Sequence, residues 1–320
     1  IDATSGTCKG DVSLQFKDIS TDTRTIEAGY VFVALKGDTF DGHDFIKTAI
    51  EKGATAAIVE KGRSVDGIIC VEVENTLKAY QDLANFHRRR FQIPVVAITG
   101  SSGKTTTKEM VAAVLSTEFN VLKTEKNFNN EIGLPKTLLQ LSPEHEACVV
   151  EMGMRGLGQI EELALIAEPT IGIITNVGTS HIELLGSQEA IAEAKGELIR
   201  CLGPDSVAIL NEDDHFVKAM SSIAKGKTVT YGIHSNATVI GSHLRYKKDG
   251  IKFTCKCYDE VFDVFLPMIG EHNVYDALAA IAAGRVLGVK SSKIKKGLSD
   301  FTGTPMRQEI VAFEDIVILN

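Results

Sequence analysis

The sequence lacks any excess of basic residues, since its 34 lysines and arginines are outnumbered by 42 aspartates and glutamates. The resulting net charge of −8 argues against a protein that binds nucleic acid irrespective of sequence, which would need a basic surface. The chain also lacks an apolar run of transmembrane length, and its first residues lack the basic-then-apolar layout of a signal peptide. We therefore expect a cytoplasmic protein with no nucleic-acid partner and no membrane insertion.

Paired cysteine motifs are absent as well. The six cysteines show no CxxC pair and no regular spacing: Cys8, Cys70, Cys148, Cys201, Cys255 and Cys257. Cys148 and Cys201 stand in apolar runs, where reduced cysteines are common, and Cys255 and Cys257 share one face of a predicted strand. This pattern favours reduced thiols over a cysteine-only metal site.

What is present is the composition of an ordinary globular protein, with 44% hydrophobic and 24% charged residues in 320. That length suggests two domains or one large one. A predicted helix at Leu77–Phe91 ends just before Ile93-Pro94, and a residue that precedes proline disfavours continuing a helix. The sequence therefore predicts an N-terminal domain at 1–92 and a central domain at 93–320.

Apolar strands and amphipathic helices alternate along both parts. In the first part the predicted elements are strands at 31–35 and 56–59 and helices at 45–52 and 77–91. In the second part they are strands at 95–99, 147–151, 170–175 and 206–210 and helices at 104–118, 131–141, 159–167, 188–201, 274–287 and 291–299. The stretch 228–266 is rich in strands, and further strands are expected near 308–313 and at 316–319. This alternation predicts an α/β protein, in which a small α/β domain precedes a mostly parallel sheet with an antiparallel extension.

The stretch Val95–Thr106, VVAITGSSGKTT, has the features of a phosphate-binding loop. Its glycines let the backbone turn its N–H groups toward an anion, the helix that follows adds a positive dipole, Lys104 adds a charge and the Thr105 hydroxyl can bind Mg²⁺. The general pattern has glycine where this chain has Ile98. The alternative is a strand–turn–helix corner with an incidental lysine. The candidate phosphate-side residues are Gly100, Ser101, Ser102, Gly103, Lys104, Thr105 and Thr106.

Two further polar residues follow predicted parallel strands, where ligands of open α/β sheets bind. Glu151 ends the apolar strand ACVVE, and His181 stands in TNVGTSHIE directly after IGIIT. A carboxylate and an imidazole beside a phosphate loop can hold Mg²⁺ between a nucleotide and an acceptor. Taken alone, Glu151 is equally typical of a loop-positioning residue and His181 of a helix N-terminus.

Lys195 lies on the apolar face of the predicted helix 188–201. A lysine in this place commonly extends its ammonium group to the surface. If it is desolvated instead, its pKa falls, and the neutral amine can add CO₂ to form a carbamate. That reaction would replace a cation with an anion near the metal.

The segment GEHNVYDALAAIAA opens a helix with His272 and Asn273, a pair that suits stacking on adenine and reading its edge. Helix capping by Asn273 explains the same pattern equally well. The polar turns TDTR at 21–24, DGHDF at 41–45 and NFNNEIGLP at 127–135 carry little meaning by themselves.

Together these segments resemble the Mur ligases, the ATP-dependent amide-bond-forming enzymes of peptidoglycan synthesis, over essentially the whole chain. TGSSGKTT is similar to the shortened loop TGxxGKT of that family, which accounts for Ile98. The resemblance also rests on STDTR, GYVFVALKGDTFDGHDF, NFNNEIGLP, EMGMRGLGQIEELA and the long segment around His181 and Lys195. It implies a two-step reaction, in which a peptide carboxylate becomes an acyl phosphate and is then attacked by an amine.

The resemblance implies roles for individual residues. ATP phosphates would lie on the loop, with Lys104 contacting them. Mg²⁺ would be bound by Thr105, Glu151 and His181, Lys195 would be the lysine that is carbamylated, and His272, Asn273 and Arg307 would contact ATP. The UDP-linked substrate would be held by Thr23, Arg24, Asp41, Gly42 and His43, and its muramoyl peptide would face Asn129 and Asn130.

Within the family, the motifs are most similar to the branch that joins D-alanyl-D-alanine to UDP-N-acetylmuramoyl-tripeptide. Three alternatives are the branch that adds lysine or diaminopimelate to the dipeptide, a folylpolyglutamate synthetase and a binding module without activity. The family has a third domain beyond the strand at which this chain stops. We therefore expect a chain truncated at Asn320, incapable of ligation by itself, and a monomer.

Overall fold

The computed structural model describes residues 2–8 and 15–303, together with the backbone of 310–313 and 316–319. The chain divides into two compact units, Ile1–Arg90 and Phe91–Asn320, whereas the sequence-based boundary falls after residue 92. Each unit has its own sheet and its own hydrophobic core.

The described part of the first unit has a five-stranded sheet and two α-helices. The strands are β1 (Thr7–Cys8), β2 (Asp18–Ser20), β3 (Tyr30–Val33), β4 (Ala56–Glu60) and β5 (Ile69–Val73), and the helices are α1 (Ile46–Glu51) and α2 (Thr76–Arg88). The order is β1-β5-β4-β3-β2, in which β2 to β5 run parallel and β1 runs antiparallel to β5. The carboxyl ends of β2, β3 and β4 therefore lie at one edge.

The second unit contains a nine-stranded sheet within the described ranges. Its strands are β6 (Val95–Thr99), β7 (Val121–Lys123), β8 (Ala147–Glu151), β9 (Ile171–Ile174), β10 (Val207–Asn211), β11 (Lys227–Gly232), β12 (Val239–Lys247), β13 (Gly250–Cys257) and β14 (Glu260–Leu266). The order is β14-β13-β12-β11-β10-β9-β6-β8-β7. All pairs from β7 to β12 are parallel, and β13 and β14 add the antiparallel extension. The predicted fold class is confirmed.

The described part of the second unit also contains α-helices. They are α3 (Lys104–Leu115), α4 (Gly133–Leu138), α5 (Gln159–Ala167), α6 (Ile182–Leu185), α7 (Gln188–Cys201), α8 (His215–Ala219), α9 (Glu271–Val286) and α10 (Ser291–Ser299). Short 3₁₀ turns occur at Gly42–Phe45 and Met220–Ile223. The central strand β6 is buried along its whole length, which explains its continuous apolar sequence. Met110 of α3 and Leu278 of α9 are among the fully buried residues of the core cluster.

The predicted helices form, those at 159–167, 188–201 and 291–299 with the expected ends and the others with shifted ends. The helix expected at 77–91 covers Thr76–Arg88, where Asn75 caps it, and the one expected at 131–141 is only Gly133–Leu138. The predicted helix at 104–118 ends at Leu115. A two-stranded sheet pairs β15 (Ile310–Phe313) with β16 (Ile316–Leu319). No disulfide joins the six cysteines, all of which are described, and the described helices include none with the length and hydropathy to cross a membrane.

Candidate active site

The loop between β6 and α3 needs glycine at two positions. Gly103, the residue before α3, has a left-handed φ of 76°. A Cβ on Gly100 would lie 1.8 Å from Thr175 Oγ1, and one on Gly103 would lie 2.6 Å from Asp276 Oδ1. Both glycines therefore let neighbouring polar groups approach the backbone, and the turn brings the N-terminus of α3 to the edge of the sheet.

Residues after the neighbouring strand β9 hold this loop in place. Thr175 Oγ1 donates a hydrogen bond of 2.6 Å to the Ser102 carbonyl. Asn176 accepts on its side-chain oxygen from Ser102 N at 3.0 Å, and its backbone carbonyl accepts from Ser101 N at 3.0 Å. The sequence analysis missed Thr175 and Asn176, although both stand at the start of the TNVGTSHIE segment. Their position at the end of an apolar strand was the available signal.

The lysine of the loop lies over its backbone. Lys104 Nζ donates to the Gly100 carbonyl at 2.8 Å and approaches the Ser101 carbonyl at 3.4 Å. Thr105 is half-buried at the start of α3. The Ser101 hydroxyl oxygen is buried and has no hydrogen-bond partner among the described residues. The loop thus contains a cation, an α-helix N-terminus and an unsatisfied polar group within four residues.

A cavity of about 550 Å³ opens beside the loop. It joins Ser102, Gly103 and Thr106 to His272 and Asn273 of α9, two sets that stand about 170 residues apart in the sequence. The His272 ring packs over Gly270, since a Cβ there would lie 2.4 Å from the imidazole. Asn273 is buried, and its Nδ2 donates to the Ile269 carbonyl at 2.6 Å. The volume of the cavity is within the usual range for small-molecule sites.

Acidic residues that the sequence analysis did not single out also line this cavity. They are Asp213, Asp214 and Asp276. Asp213 Oδ2 accepts from Ile233 N at 2.6 Å and from the Tyr275 hydroxyl at 2.8 Å, whereas its Oδ1 is buried without a partner among the described residues. The NEDD segment at 211–214 ends β10, so the same strand-end rule that found Glu151 could have found it.

Asp276 connects α9 to α3. Its Oδ1 accepts a hydrogen bond of 2.8 Å from Thr107 Oγ1. Burial raises the pKa of Asp276 to about 7, and the hydrogen bond from Thr107 opposes this rise only in part. The cavity therefore contains a carboxyl group that gains or loses its proton near neutral pH, beside Gly103.

Glu151 lies next to the loop because β8 pairs with β6, with Ile98 opposite Glu151. Its side chain is 3% exposed. Asn129 Nδ2 donates to Oε1 at 2.7 Å, while Oε2 is buried without a partner among the described residues. A bare buried carboxylate oxygen suits a hard divalent cation. The described residues contain no cluster of three His, Cys, Asp or Glu side chains, so Mg²⁺ would need phosphate or water oxygens as further ligands.

The two remaining predicted catalytic residues differ in their surroundings. His181 is half-buried with a left-handed φ of 67° and precedes the short helix α6. Lys195 on α7 is 2% exposed, so its ammonium group does not extend to the surface. Burial, together with repulsion from Lys104, lowers the pKa of Lys195 to about 7.

The residues predicted to hold the UDP-linked substrate lie in the first unit. Thr23 and Arg24 follow β2, and Asp41–His43 follow β3, so both segments come from the same edge of the sheet. The Arg24 side chain is 87% exposed and pairs with Asp22 at 2.7 Å. His43 is buried: its Nδ1 lies 2.6 Å from Asp41 Oδ1, and its Nε2 accepts from Glu60 N at 3.0 Å. Both ring nitrogens are therefore used inside this unit.

Three predicted contact residues need separate mention. Gly42 packs so tightly that a Cβ would lie 2.4 Å from the Leu35 carbonyl oxygen. Asn130 Oδ1 accepts from Gly133 N at 2.9 Å at the start of α4. Arg307 lies outside the described residues. The roles of these residues toward a substrate stay predictions.

Comparison with known proteins matches two stretches of the chain to one family. Residues 98–284 match the family model described as the Mur ligase middle domain, and residues 15–100 match the model described as the Mur ligase family, catalytic domain. The UDP-N-acetylmuramoyl-tripeptide–D-alanyl-D-alanine ligase of Synechocystis sp. is 48% identical over 294 residues, which are 89% of this chain and 62% of that protein. The chain spans less than two thirds of the length of the first curated relatives it matches.

Solved structures show the same similarity. A crystal structure of MurF from Acinetobacter baumannii aligns with a TM-score of 0.95 and 34% identity, covering 99% of this chain and 70% of that one. The crystal structure of MurF ligase from Thermotoga maritima in complex with ADP aligns with a TM-score of 0.87 and 29% identity, covering 97% and 71%.

Proposed function

Because this chain belongs to the Mur ligase family, we propose that it supplies the UDP-substrate-binding and ATP-binding domains of a peptidoglycan-precursor ligase. The reaction joins D-alanyl-D-alanine to UDP-N-acetylmuramoyl-tripeptide at the expense of ATP. The proteins named UDP-N-acetylmuramoyl-tripeptide–D-alanyl-D-alanine ligase in Synechocystis sp. and Bacillus subtilis are 48% and 40% identical to this chain. The residues 1–92 form the UDP-substrate domain and 93–320 the ATP domain.

The observation that carries the proposal is the cavity that joins the phosphate loop to His272 and Asn273. The loop end offers backbone N–H groups, the dipole of α3 and Lys104, all of which suit the phosphates of ATP. The α9 end offers an imidazole for stacking on adenine and an amide for its edge. Related MurF from Thermotoga maritima was crystallised with ADP, which supports a nucleotide here.

Mg²⁺ is the cation that best fits the unpartnered oxygen of Glu151. We assign Glu151, His181 and the Thr105 hydroxyl as its protein ligands. Held by these residues, Mg²⁺ would offset the negative charge of the phosphate oxygens. Lys104 adds to this from within the loop, once its ammonium group exchanges the Gly100 carbonyl for a phosphate oxygen.

The chemistry has two steps. The terminal carboxylate of the tripeptide attacks the γ-phosphorus of ATP, the bond to the β–γ bridging oxygen breaks, and ADP leaves. Lys104 and the loop amides stabilise the charge that develops on the phosphates. The amine of D-alanyl-D-alanine then attacks the acyl phosphate, inorganic phosphate leaves, and the amine loses a proton as the amide forms.

Lys195 has the environment that carbamate formation requires. With a pKa of about 7, a large fraction of its amine is neutral at physiological pH. The neutral amine adds to CO₂, a C–N bond forms, and one proton goes to solvent. The resulting anion lies near Lys104 and offsets its charge, so Lys195 and Lys104 no longer repel each other.

The first unit contributes recognition of the UDP-linked substrate. Thr23, Arg24 and the segment Asp41–His43 lie at the carboxyl edge of its parallel strands, which is where α/β sheets bind ligands. Arg24 is an exposed cation at that edge and suits a diphosphate. Asn129 and Asn130 are assigned to the muramoyl peptide.

The test assays the full-length product of this gene for ADP release. UDP-N-acetylmuramoyl-tripeptide with D-alanyl-D-alanine should support turnover, and Lys104→Ala should abolish it; a matched control is Lys123→Ala, an exposed lysine of β7. Unchanged turnover in Lys104→Ala would contradict the assignment of the loop. A preference for UDP-N-acetylmuramoyl-dipeptide with lysine or diaminopimelate would replace the proposed acceptor with that of the other branch.

A further inference from the structure

Glu151 is held at both its backbone and its side chain by one segment, residues 124–130. Thr124 Oγ1 accepts from Glu151 N at 3.1 Å, and Asn129 Nδ2 donates to Glu151 Oε1 at 2.7 Å. The segment follows β7, the edge strand that pairs with β8. The two contacts come from opposite ends of the segment, so its conformation determines where the Glu151 carboxylate lies.

The Thr124 end of the segment rests on a buried cation. Lys108 on α3 is 1% exposed, and its Nζ donates to the Thr124 carbonyl at 2.6 Å and pairs with Glu109 Oε1 at 2.8 Å. Burying an ammonium group is costly unless it is paired and hydrogen-bonded, as it is here. Lys123 pairs with the other oxygen of Glu109 but is half-exposed, and its ammonium group is not hydrogen-bonded to Thr124.

The Asn129 end is fixed by its backbone. Gly153 N donates to the Asn129 carbonyl at 2.8 Å, and a Cβ on Gly153 would lie 3.1 Å from the Asn129 amide group. Because an ionised carboxylate only accepts hydrogen bonds, Asn129 must turn its NH₂ group toward Glu151. This contact occupies Oε1 and leaves Oε2 as the carboxylate oxygen with no hydrogen-bond partner among the described residues.

We propose that Asn129 and Lys108 are positioning residues that orient Glu151 so that Oε2 faces a divalent cation. Asn129 acts directly on the carboxylate, and Lys108 acts through the Thr124 carbonyl. The inference rests on the proposed function only in taking Glu151 as a metal ligand. It adds to Asn129 a role that differs from contact with the muramoyl peptide, and it gives buried Lys108 a reason to be charged.

The neighbouring asparagine makes a matched control possible. Asn129 and Asn130 belong to the same segment, but Asn130 Oδ1 accepts from Gly133 N at the start of α4, and Asn130 has no hydrogen bond to Glu151. In the chain with saturating ADP, Mn²⁺ binding is followed by electron paramagnetic resonance. Asn129→Ala should weaken Mn²⁺ binding by about tenfold or more, as loss of a ligand's hydrogen-bond partner commonly does. Asn130→Ala should stay within about twofold of the unchanged chain.

A second pair tests Lys108. Lys108→Met removes the donor to the Thr124 carbonyl, and Lys123→Met removes the other lysine that pairs with Glu109. We expect Lys108→Met to weaken Mn²⁺ binding by about threefold or more and Lys123→Met to leave it unchanged. Equal Mn²⁺ binding in Lys108→Met and Lys123→Met would contradict the role of Lys108. If Lys108→Met does not fold, Thr124→Val tests the other contact of the same residue, because it removes the hydroxyl that accepts from Glu151 N while keeping the side-chain shape. Normal Mn²⁺ binding in Thr124→Val would show that this segment does not position Glu151.

Glu151→Gln separates this inference from the proposed function. The amide keeps an oxygen for Asn129 but replaces the charged ligand, so Mn²⁺ binding should be lost. If Glu151→Gln binds Mn²⁺ normally, the metal role of Glu151 in the proposed function is wrong. If Glu151→Gln loses Mn²⁺ but Asn129→Ala does not, or if Asn129→Ala and Asn130→Ala weaken it equally, the positioning role is wrong. ADP affinity without metal should be the same in all variants.

Discussion

Two loops of this molecule, both predicted to bind ligands, differ in how their polar groups are used. In the first unit, the polar groups of the Asp41–His43 loop have hydrogen-bond partners within the unit. Both His43 ring nitrogens have partners, and Asp41 accepts from His43 N at 3.0 Å. In the second unit, three buried side-chain atoms have no hydrogen-bond partner within the described residues: Ser101 Oγ, Glu151 Oε2 and Asp213 Oδ1. All three lie on the phosphate loop or at the ends of the strands β8 and β10.

This difference separates polar groups that hold a loop in place from polar groups that are available to bind a ligand. Buried polar groups in folded proteins are nearly always hydrogen-bonded, so three exceptions at one edge of a sheet need an explanation. The proposed nucleotide and its cation would supply it, since phosphate oxygens can accept from Ser101, whereas ribose hydroxyls and Mg²⁺ can satisfy the carboxylate oxygens. The His43 loop, by contrast, is satisfied without a ligand, and it shapes the edge from which Arg24 extends.

The largest expected effect concerns Asp276 in the cavity. Its folded pKa is raised to about 7 from 3.8, so the folded state binds more protons between these values. The stability that Asp276 contributes is therefore full below about pH 3.8 and is lost as the pH rises through 7. Urea unfolding of the unchanged chain and of Asp276→Asn should diverge by up to about 4 kcal/mol between those pH values. Parallel pH profiles would show that Asp276 is not desolvated.

The next effect tests how tightly the loop is packed. Gly100→Ala places a Cβ 1.8 Å from Thr175 Oγ1, so the hydrogen bond from Thr175 to Ser102 must break. We expect ADP binding by calorimetry to weaken about a hundredfold, or about 2.8 kcal/mol. The control is Gly156→Ala, where the new methyl group meets no atom within 4 Å. Similar losses in both variants would argue against the loop as the phosphate site.

A substitution in the Asp41–His43 loop of the first unit should lower the free energy of unfolding and leave nucleotide binding unchanged. His43→Ala leaves Glu60 N without its acceptor and Asp41 without its ring donor, at a cost of about 2 kcal/mol in unfolding free energy. ADP affinity should stay unchanged. Arg24→Ala is the control in the same unit, and because Arg24 is exposed we expect less than about 0.5 kcal/mol. An unfolding free energy of His43→Ala equal to that of the unchanged chain would show that these hydrogen bonds do not stabilise the loop.

The smallest effect has the opposite sign to that of Asp276. Hydrogen bonds from His43, first from its backbone amide and then from its ring, lower the pKa of Asp41 to about 2 from 3.8. The stability that Asp41 contributes is present above about pH 3.8 and is lost as the pH falls toward 2. Asp41→Asn should therefore reduce the acid dependence of unfolding, seen as a shallower loss of circular dichroism at low pH. An unchanged acid transition would contradict it.

Much of the fold could be predicted because its central strands are buried on both faces. The runs at 95–99 and 147–151 are continuously apolar and are separated by helical segments, which is typical of a parallel sheet. The short strands β2 and β7, with three residues each, gave no such signal. Each of these strands forms by pairing with a neighbouring strand, β2 with β3 and β7 with β8, and the sequence pattern does not reveal which strands are neighbours.

Residues of the candidate site were predictable where a sequence motif contains them. They were missed where residues distant in the sequence come together only in the folded chain. Gly100–Thr106 could be found from spacing alone. Thr175 contacts Ser102, and Asp276 contacts Thr107, because β9 lies beside β6 and α9 packs on α3. The order of strands decides these contacts, and alternation along the chain does not reveal that order. His43 was predicted from the family resemblance, but its buried partner, Glu60 N, could not be.

The central claim is that the unpartnered groups beside the phosphate loop receive a nucleotide and a divalent cation. Anomalous diffraction from crystals of this chain grown with ADP and Mn²⁺ tests it most directly. The account predicts a manganese peak within about 2.3 Å of Glu151 Oε2, with the ADP phosphates on Gly100–Thr106 and the adenine beside His272. Manganese distant from Glu151, or ADP bound outside this cavity, would contradict the account.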